Sequence, residues 1–196
     1  MNLHFAKKTR KNPTFVATKT ESMQHTEWFP IVNEEGETIG KASRKECHSG
    51  SFLLHPVVHL HVFNERQQLY VQKRAANKDI QPNKWDTAVG GHVDYGETVE
   101  VALRREAKEE LGIHQFEPRF LFQYPFRSAV EYELVNSFWT VYPLPLIPDV
   151  TEISEARFWD IEEIRTSLNK GIFTPNFESE FIRLIAHPSI ISFLSA

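Results

Sequence analysis

Short apolar runs broken by polar turns dominate the chain, and one clear helical repeat interrupts them. Trp28 to Val32 reads as a strand, Asn33-Glu34-Glu35-Gly36 as a turn, and Thr38 to Lys41 as the returning strand of a hairpin. The β-branched run Val57 to Phe63 predicts a buried strand, continued by Leu69 to Gln72 after the turn at Asn64-Glu65-Arg66. Pro82 and Asn83 mark a loop before Trp85. Between Thr98 and Leu111 the period changes: Val99, Ala102, Leu103, Ala107 and Leu111 follow helical spacing, Thr98 caps the start and Gly112 ends it. Further strands are predicted at Arg119 to Tyr124, Glu131 to Val141 and Ala156 to Trp159. Asp160 with Glu163 reads as a capping box opening a helix to about Asn169, and a last helix covers Glu178 to Ala186. Strands in the middle with helices flanking them give an α/β (α+β) sandwich.

Composition narrows the class. With 196 residues and 41% hydrophobic side chains, the chain is long enough to fold around its own core. Its one cysteine, Cys47, excludes a disulfide framework and a cysteine-cluster zinc site. No run of about 18 apolar residues is present, so no membrane-spanning helix is expected. The net charge of -4 is unevenly spread: Lys7, Lys8, Arg10, Lys11 and Lys19 fall in the first twenty residues, which hold no acid. The acidic remainder argues against nucleic acid as the partner, since phosphate neutralisation needs clustered base. Residues 1–24 read as a flexible basic tail, with a transit peptide as the alternative, because the segment lacks the apolar core of a secretory signal. Residues 25–190 form one expected domain, and the expected location is cytoplasmic.

The chemistry concentrates between Gly90 and Ile113. Glu106, Glu109 and Glu110 stand at i, i+3 and i+4 of the predicted helix, which stacks three carboxylates on one face. Such a face is either solvated or neutralised by a hard divalent cation with oxygen ligands, Mg²⁺ or Mn²⁺. Arg105 and Glu97 are placed to pair behind the carboxylates and orient them. Gly91, Glu97, Arg105-Glu106, Glu109-Glu110 and Gly112-Ile113 together fit the signature of the Nudix hydrolases: Gly, five residues, Glu, seven residues, Arg-Glu, two residues, Glu-Glu, one residue, Gly and an apolar residue. The resemblance extends to Gln72-Lys73-Arg74, to Pro82 through Asp86, to Gly90-Gly91-His92, to Phe158-Trp159-Asp160 and to Gly171 through Pro175, or about Phe52 to Ala186. It implies the Nudix α/β/α sandwich with a mixed sheet, the box at residues 91–113, and the 28–41 hairpin as an N-terminal extension. It also implies hydrolysis of a nucleoside diphosphate linked to another moiety by attack of water on phosphorus. By the same resemblance Glu106, Glu109 and Glu110, with the Gly91 carbonyl, hold Mg²⁺ or Mn²⁺. The general base is Glu110 or a glutamate on a later loop, and Arg74 with Lys73 contacts the small-molecule diphosphate substrate.

Five of the nine histidines lie between His48 and His92. His59 and His61 share one face of a strand and read as structural or substrate-lining. His48, His55 and His92, with Glu131 and Glu133, resemble the metal-binding set of isopentenyl-diphosphate isomerase, a Nudix-fold relative. They form either a second metal site or a structural cluster. The isomerase pattern has a cysteine just before the Gly-His pair, where this chain has Gly90, and that departure argues against isomerisation. The chain is most similar to the isomerase-like branch of Nudix hydrolases. Three functions stay in view: a pyrophosphohydrolase, an isoprenoid diphosphate isomerase and a non-catalytic Nudix-fold binding module. Substrate choice is expected to lie in Asn64 to Gln68, Arg74 to Lys84 and Phe122 to Val130, where Phe122, Tyr124 and Phe126 either stack on a ligand or belong to the core. A homodimer through the hairpin edge is left open.

Overall fold

A computed structural model describes residues 26–196, so the predicted basic tail lies outside the described residues. The hairpin pairs β1 (Trp28–Val32) with β2 (Thr38–Ser43). A short helix α1 (Arg44–Cys47) follows, opened by the capping box that the pattern assigned elsewhere: the Ser43 hydroxyl accepts from the Glu46 amide, and the Glu46 carboxylate accepts from the Ser43 amide. Next come β3 (Leu54–Phe63), β4 (Leu69–Arg74), β5 (Trp85–Asp86), β6 (Val89–His92), helix α2 (Val99–Leu111), β7 (Arg119–Arg127), β8 (Tyr132–Val141) and β9 (Ile153–Trp159). Three helices close the chain: α3 (Ile161–Ser167), α4 (Pro175–Ala186) and α5 (Pro188–Leu194). The last of these carries packed structure past the expected boundary at 190.

Seven strands form one mixed sheet in the order β5-β4-β3-β8-β7, with β6 on β3 and β9 on β4. β3 runs parallel to β8 and antiparallel to β6. All ten residues of β3 are buried, and the two-residue period of a strand sends them to opposite faces. Val58, Leu60 and Val62 meet Ala102, Leu103, Ala107 and Leu111 of α2. Phe63 instead joins Phe177, Phe181 and Leu184 of α4, with Trp85, Trp139 and Trp159. The result is the expected α/β/α sandwich. Tyr124 is buried with Val57 and Val135 and its hydroxyl donates to Asn176, so this aromatic belongs to the core.

The helix α2 has both signals read from the sequence. Thr98 Oγ1 accepts from the Val101 amide, and Gly112 adopts φ 66°, with its amide on Lys108 and the Ile113 amide on Ala107. The capping box expected at Asp160 is absent. The Asp160 carboxylate accepts from Gln68 Nε2 at 3.0 Å, and Glu163 accepts both Arg157 guanidinium branches at 2.6 and 3.1 Å.

Candidate active site

β6 sets Gly91 opposite Val58 and His92 opposite Val57 on β3, which brings the two glycines beside α2. A Cβ built on Gly91 would fall 2.0 Å from Cδ of Glu106. Only glycine lets this carboxylate lie against the strand.

Arg105 holds that arrangement. Its Nε and Nη2 donate to the two Glu97 oxygens at 2.9 and 2.8 Å, its Nη1 donates to Glu106 at 2.7 Å, and Nη2 also reaches the His92 carbonyl at 3.0 Å. The sequence-predicted Glu97–Arg105 pair is therefore present. With its donors taken up by protein acceptors, Arg105 acts through Glu106 rather than on a ligand. Glu109 stands further out, its side chain 59% exposed, with Arg105 at 3.3 Å.

Glu110 is buried and accepts from Gln72 Nε2 at 2.7 Å. Burial, then the neighbouring Glu106, pushes its carboxyl up to about 8. Glu106 is raised as well, chiefly by burial, against the pull of Arg105. A buried and a part-buried carboxylate that repel each other, with oxygen donors only, are the environment a hard divalent cation neutralises, so the set fits Mg²⁺ or Mn²⁺. Lys78 faces the same carboxylates: burial and Arg74 lower its ammonium, while Glu110 and Glu106 oppose them. It also pairs with Glu152. Gln72 falls in the Gln72-Lys73-Arg74 match and Lys78 in the Arg74 to Lys84 loop, but the sequence alone gives neither a place at the carboxylates.

Arg74 is fixed by donating to the Ile80 carbonyl at 3.0 Å and to Asp86 at 3.3 Å, and its charge is felt at Glu131 and Glu133. Lys73 turns the other way, because adjacent strand residues face opposite sides. It meets Glu155 of β9 at 3.7 Å and lies over the Trp85 ring, so it is no partner to Arg74 at the carboxylates. The Asn64 to Gln68 segment is a tight turn beyond Phe63, away from the Gly91 end of β3, and Asn64 Oδ1 closes it.

Three residues of the second constellation also converge, with Glu131 beside them and Glu133 on the neighbouring strand. His48, His55 and His92 place ring nitrogens within 4.8 Å of one another. His48 Nε2 lies 3.0 Å from His92 Nε2 and 3.7 Å from Glu131. Phe29 stacks on His92 with centroids 4.3 Å apart. Glu131 is buried just before β8 rather than within it, and Glu133 pairs in register with His55. Burial and Glu131 raise the Glu133 carboxyl to about 8. Burial, Arg44 and His55 lower His48 to about 4, and burial holds His92 well below its ordinary range, so the imidazoles are neutral. His55 donates from Nδ1 to the Leu53 carbonyl, which leaves its buried Nε2 lone pair with no partner. His92 differs: Arg44 donates to its Nδ1 at 3.3 Å, so its own proton sits on Nε2. One proton shift on His92 would leave a lone pair on each of three ring nitrogens that lie within 4.8 Å of one another. The donor set fits a borderline metal such as Mn²⁺ or Zn²⁺.

A mixed sheet between helix layers, with a carboxylate-bearing helix laid on a Gly-Gly strand, defines an enzyme of diphosphate chemistry. A family profile described as the NUDIX domain matches residues 53–177, so the chain belongs to the Nudix family, as a hydrolase acting on diphosphate bonds. It is 34% identical over 157 residues to an uncharacterised Nudix hydrolase of Listeria monocytogenes, covering 77% of this chain and 89% of that one. It is 31% identical over 147 residues to the isopentenyl-diphosphate Delta-isomerase of Clavibacter michiganensis, covering 72% and 76%. The crystal structure of DR0079 from Deinococcus radiodurans superposes with a TM-score of 0.69 at 26% identity, over 80% of this chain and 98% of that one. Nudix hydrolases generally use divalent ions such as Mg²⁺ or Mn²⁺. Among the described residues no helix is long and apolar enough to cross a membrane.

Proposed function

We propose that the chain is a divalent-metal-dependent pyrophosphohydrolase that cleaves the diphosphate linkage of a nucleoside diphosphate derivative. The observation that carries this reading is the Glu106–Glu110 pair, Glu106 packed on Gly91 and Glu110 buried beside it. A cation held by Glu106, Glu109, Glu110 and the Gly91 carbonyl supplies charge neutralisation at the diphosphate oxygens and acidifies water. The protein's own part is positioning and proton transfer. Arg105 fixes Glu106, while Arg74 and Lys78 bring positive charge to the diphosphate. As water bonds to phosphorus and the bridging P–O bond breaks, Glu110 takes the water proton and the second phosphate leaves.

The test is phosphate release from nucleotide sugars, dinucleotides, nucleoside triphosphates and isoprenoid diphosphates, each with Mg²⁺, Mn²⁺ or EDTA. Turnover of a nucleoside diphosphate class that stops in EDTA is the expected result. Equal rates in EDTA would overturn metal dependence. Conversion of isopentenyl diphosphate to its allylic isomer without phosphate release would favour the isomerase reading, which Gly90 opposes.

The partnerless His55 Nε2 supports a second metal site of His48, His55, His92, Glu131 and Glu133. Calorimetric titration with Mn²⁺ or Zn²⁺ is expected to show one binding event that His55→Ala removes while the carboxylate-site event stays. An unchanged isotherm would make the cluster structural.

A further inference from the structure

β3 carries a buried histidine pair that the reading above does not use. His59 and His61 lie on the face covered by α4, and Glu180 of α4 stands between them. The fully buried Glu180 carboxylate accepts from His59 Nδ1 at 2.5 Å and from His61 Nε2 at 3.0 Å. Burial alone would lower His59, but the Glu180 charge and hydrogen bond outweigh it and raise the imidazole to about 9, helped by Asp86 and Glu133. His59 is thus an imidazolium with Nδ1 engaged and Nε2–H left over.

That second donor has no hydrogen-bond partner among the described residues, and it is not one of the buried polar atoms closed off from water. Gly90, paired with His59 across β3 and β6, is exposed. A Cβ on Gly90 would come 3.5 Å from His59 Cδ2 and 3.7 Å from Nε2. The missing side chain leaves a window through which the imidazolium edge faces outward. Gly90 and Gly91 face opposite sides of β6, so the window is not on the Glu106 face. It is the Gly90 backbone, hydrogen-bonded to the Glu110 carboxylate, that puts the strand edge at the window beside the box. A histidine pair that only pinned α4 to the sheet would need the bonds to Glu180 and nothing at Gly90.

We infer that His59 is a further substrate-contacting residue, whose Nε2–H donates through the space over Gly90 to an anionic oxygen of the diphosphate group. Glu180 is its positioning residue, holding Nδ1 so that Nε2 faces the window. The nature of the oxygen rests on the proposed diphosphate chemistry; the contact rests on the geometry.

Two substitutions separate this role from a structural one. In His59→Asn the amide keeps a donor near the Nδ1 position for Glu180 and loses Nε2. In Gly90→Ala the methyl makes only ordinary contact with His59 but covers the window. Each is expected to lower kcat/KM by about 10- to 100-fold, the worth of one hydrogen bond to a charged group. The double variant is expected to be no worse than the weaker single one. Full activity of Gly90→Ala, or multiplying losses in the double variant, would overturn the assignment. A second readout needs no turnover: methylenediphosphonate with Mg²⁺, followed by the imidazole ¹⁵N resonances. The His59 Nε2 signal is expected to move in the parent protein and to stay fixed in Gly90→Ala. A probe that binds without moving it, or fails to bind, would also overturn the contact. A moving His59 signal in a protein that hydrolyses no diphosphate would instead leave the contact standing and remove the hydrolase reading.

Discussion

Replacing Glu110 by glutamine is expected to lower metal-dependent turnover by on the order of 10³-fold, the range of a lost general base, while the metal-free protein melts no earlier than the parent. The two readouts move apart for one reason. Glu110 is buried beside Glu106 and is pushed up to about 8 by burial and that neighbour, so its charge is an electrostatic burden on the fold. Glutamine has the same shape, keeps an oxygen for the Gln72 amide and removes the repulsion. It also removes a cation ligand and the proton acceptor. Steady-state kinetics in Mg²⁺ beside thermal melting in EDTA checks both halves. A variant that retained turnover would exclude Glu110 from the chemistry, and one that melted earlier would show a structural cause for its loss.

The largest stability effect is expected at Glu180. In Glu180→Ala the imidazoles of His59 and His61 stay inside the sheet–helix interface with their shared acceptor gone. Removing one partner of a buried ionic set costs about 3–5 kcal/mol, which for a domain of this size lowers the melting temperature by about 10 °C. The deficit should also depend on pH. The Glu180 carboxyl, for which burial is outweighed by His59 and His61, is held well below its ordinary value. Its share of the stability is present above about pH 4.5 and is lost as acid protonates it. The His59 imidazole is raised to about 9, so its share is complete below about pH 6.5 and fades as pH climbs through that raised value. The gap between parent and variant is therefore widest in between. Melting curves from pH 4 to 10 test this, and a gap that did not vary with pH would mean that cavity formation, not charge pairing, sets the cost.

Local signals proved legible where the competitors were also local. α2 could be read because its cap, apolar spacing and terminating glycine all lie within the helix, and the Glu97–Arg105 pair because a short loop and two helical turns join them. The false capping box at Asp160 and Glu163 failed for the opposite reason. Both carboxylates have better partners, and Gln68 lies 92 residues away in the chain. The true box at Ser43 and Glu46 opens a helix of one turn, too short for a periodic pattern to reveal. β5 and β6 are likewise too short to show alternation, and β6 holds two glycines in its four residues. Which of Lys73 and Arg74 faces the carboxylates depends on strand parity, set by Gln72 meeting Glu110 on another element. The shared face of His59 and His61 followed from their spacing; their partner, 121 and 119 residues later, could not.

That separation bears on how the protein is made. A nascent chain that has emerged through α2 already has every carboxylate of the box, yet the β3 face opposite that helix is still bare. It lacks the parallel neighbour β8 and the acceptor for its two histidines. Because distant pairings form slowly and must wait for synthesis, the ribosome-bound intermediate lacks a finished floor beneath Gly90. Competence therefore waits until α4 has been made and docks, and its timing is written into the distance along the chain between a strand and the helix that neutralises it.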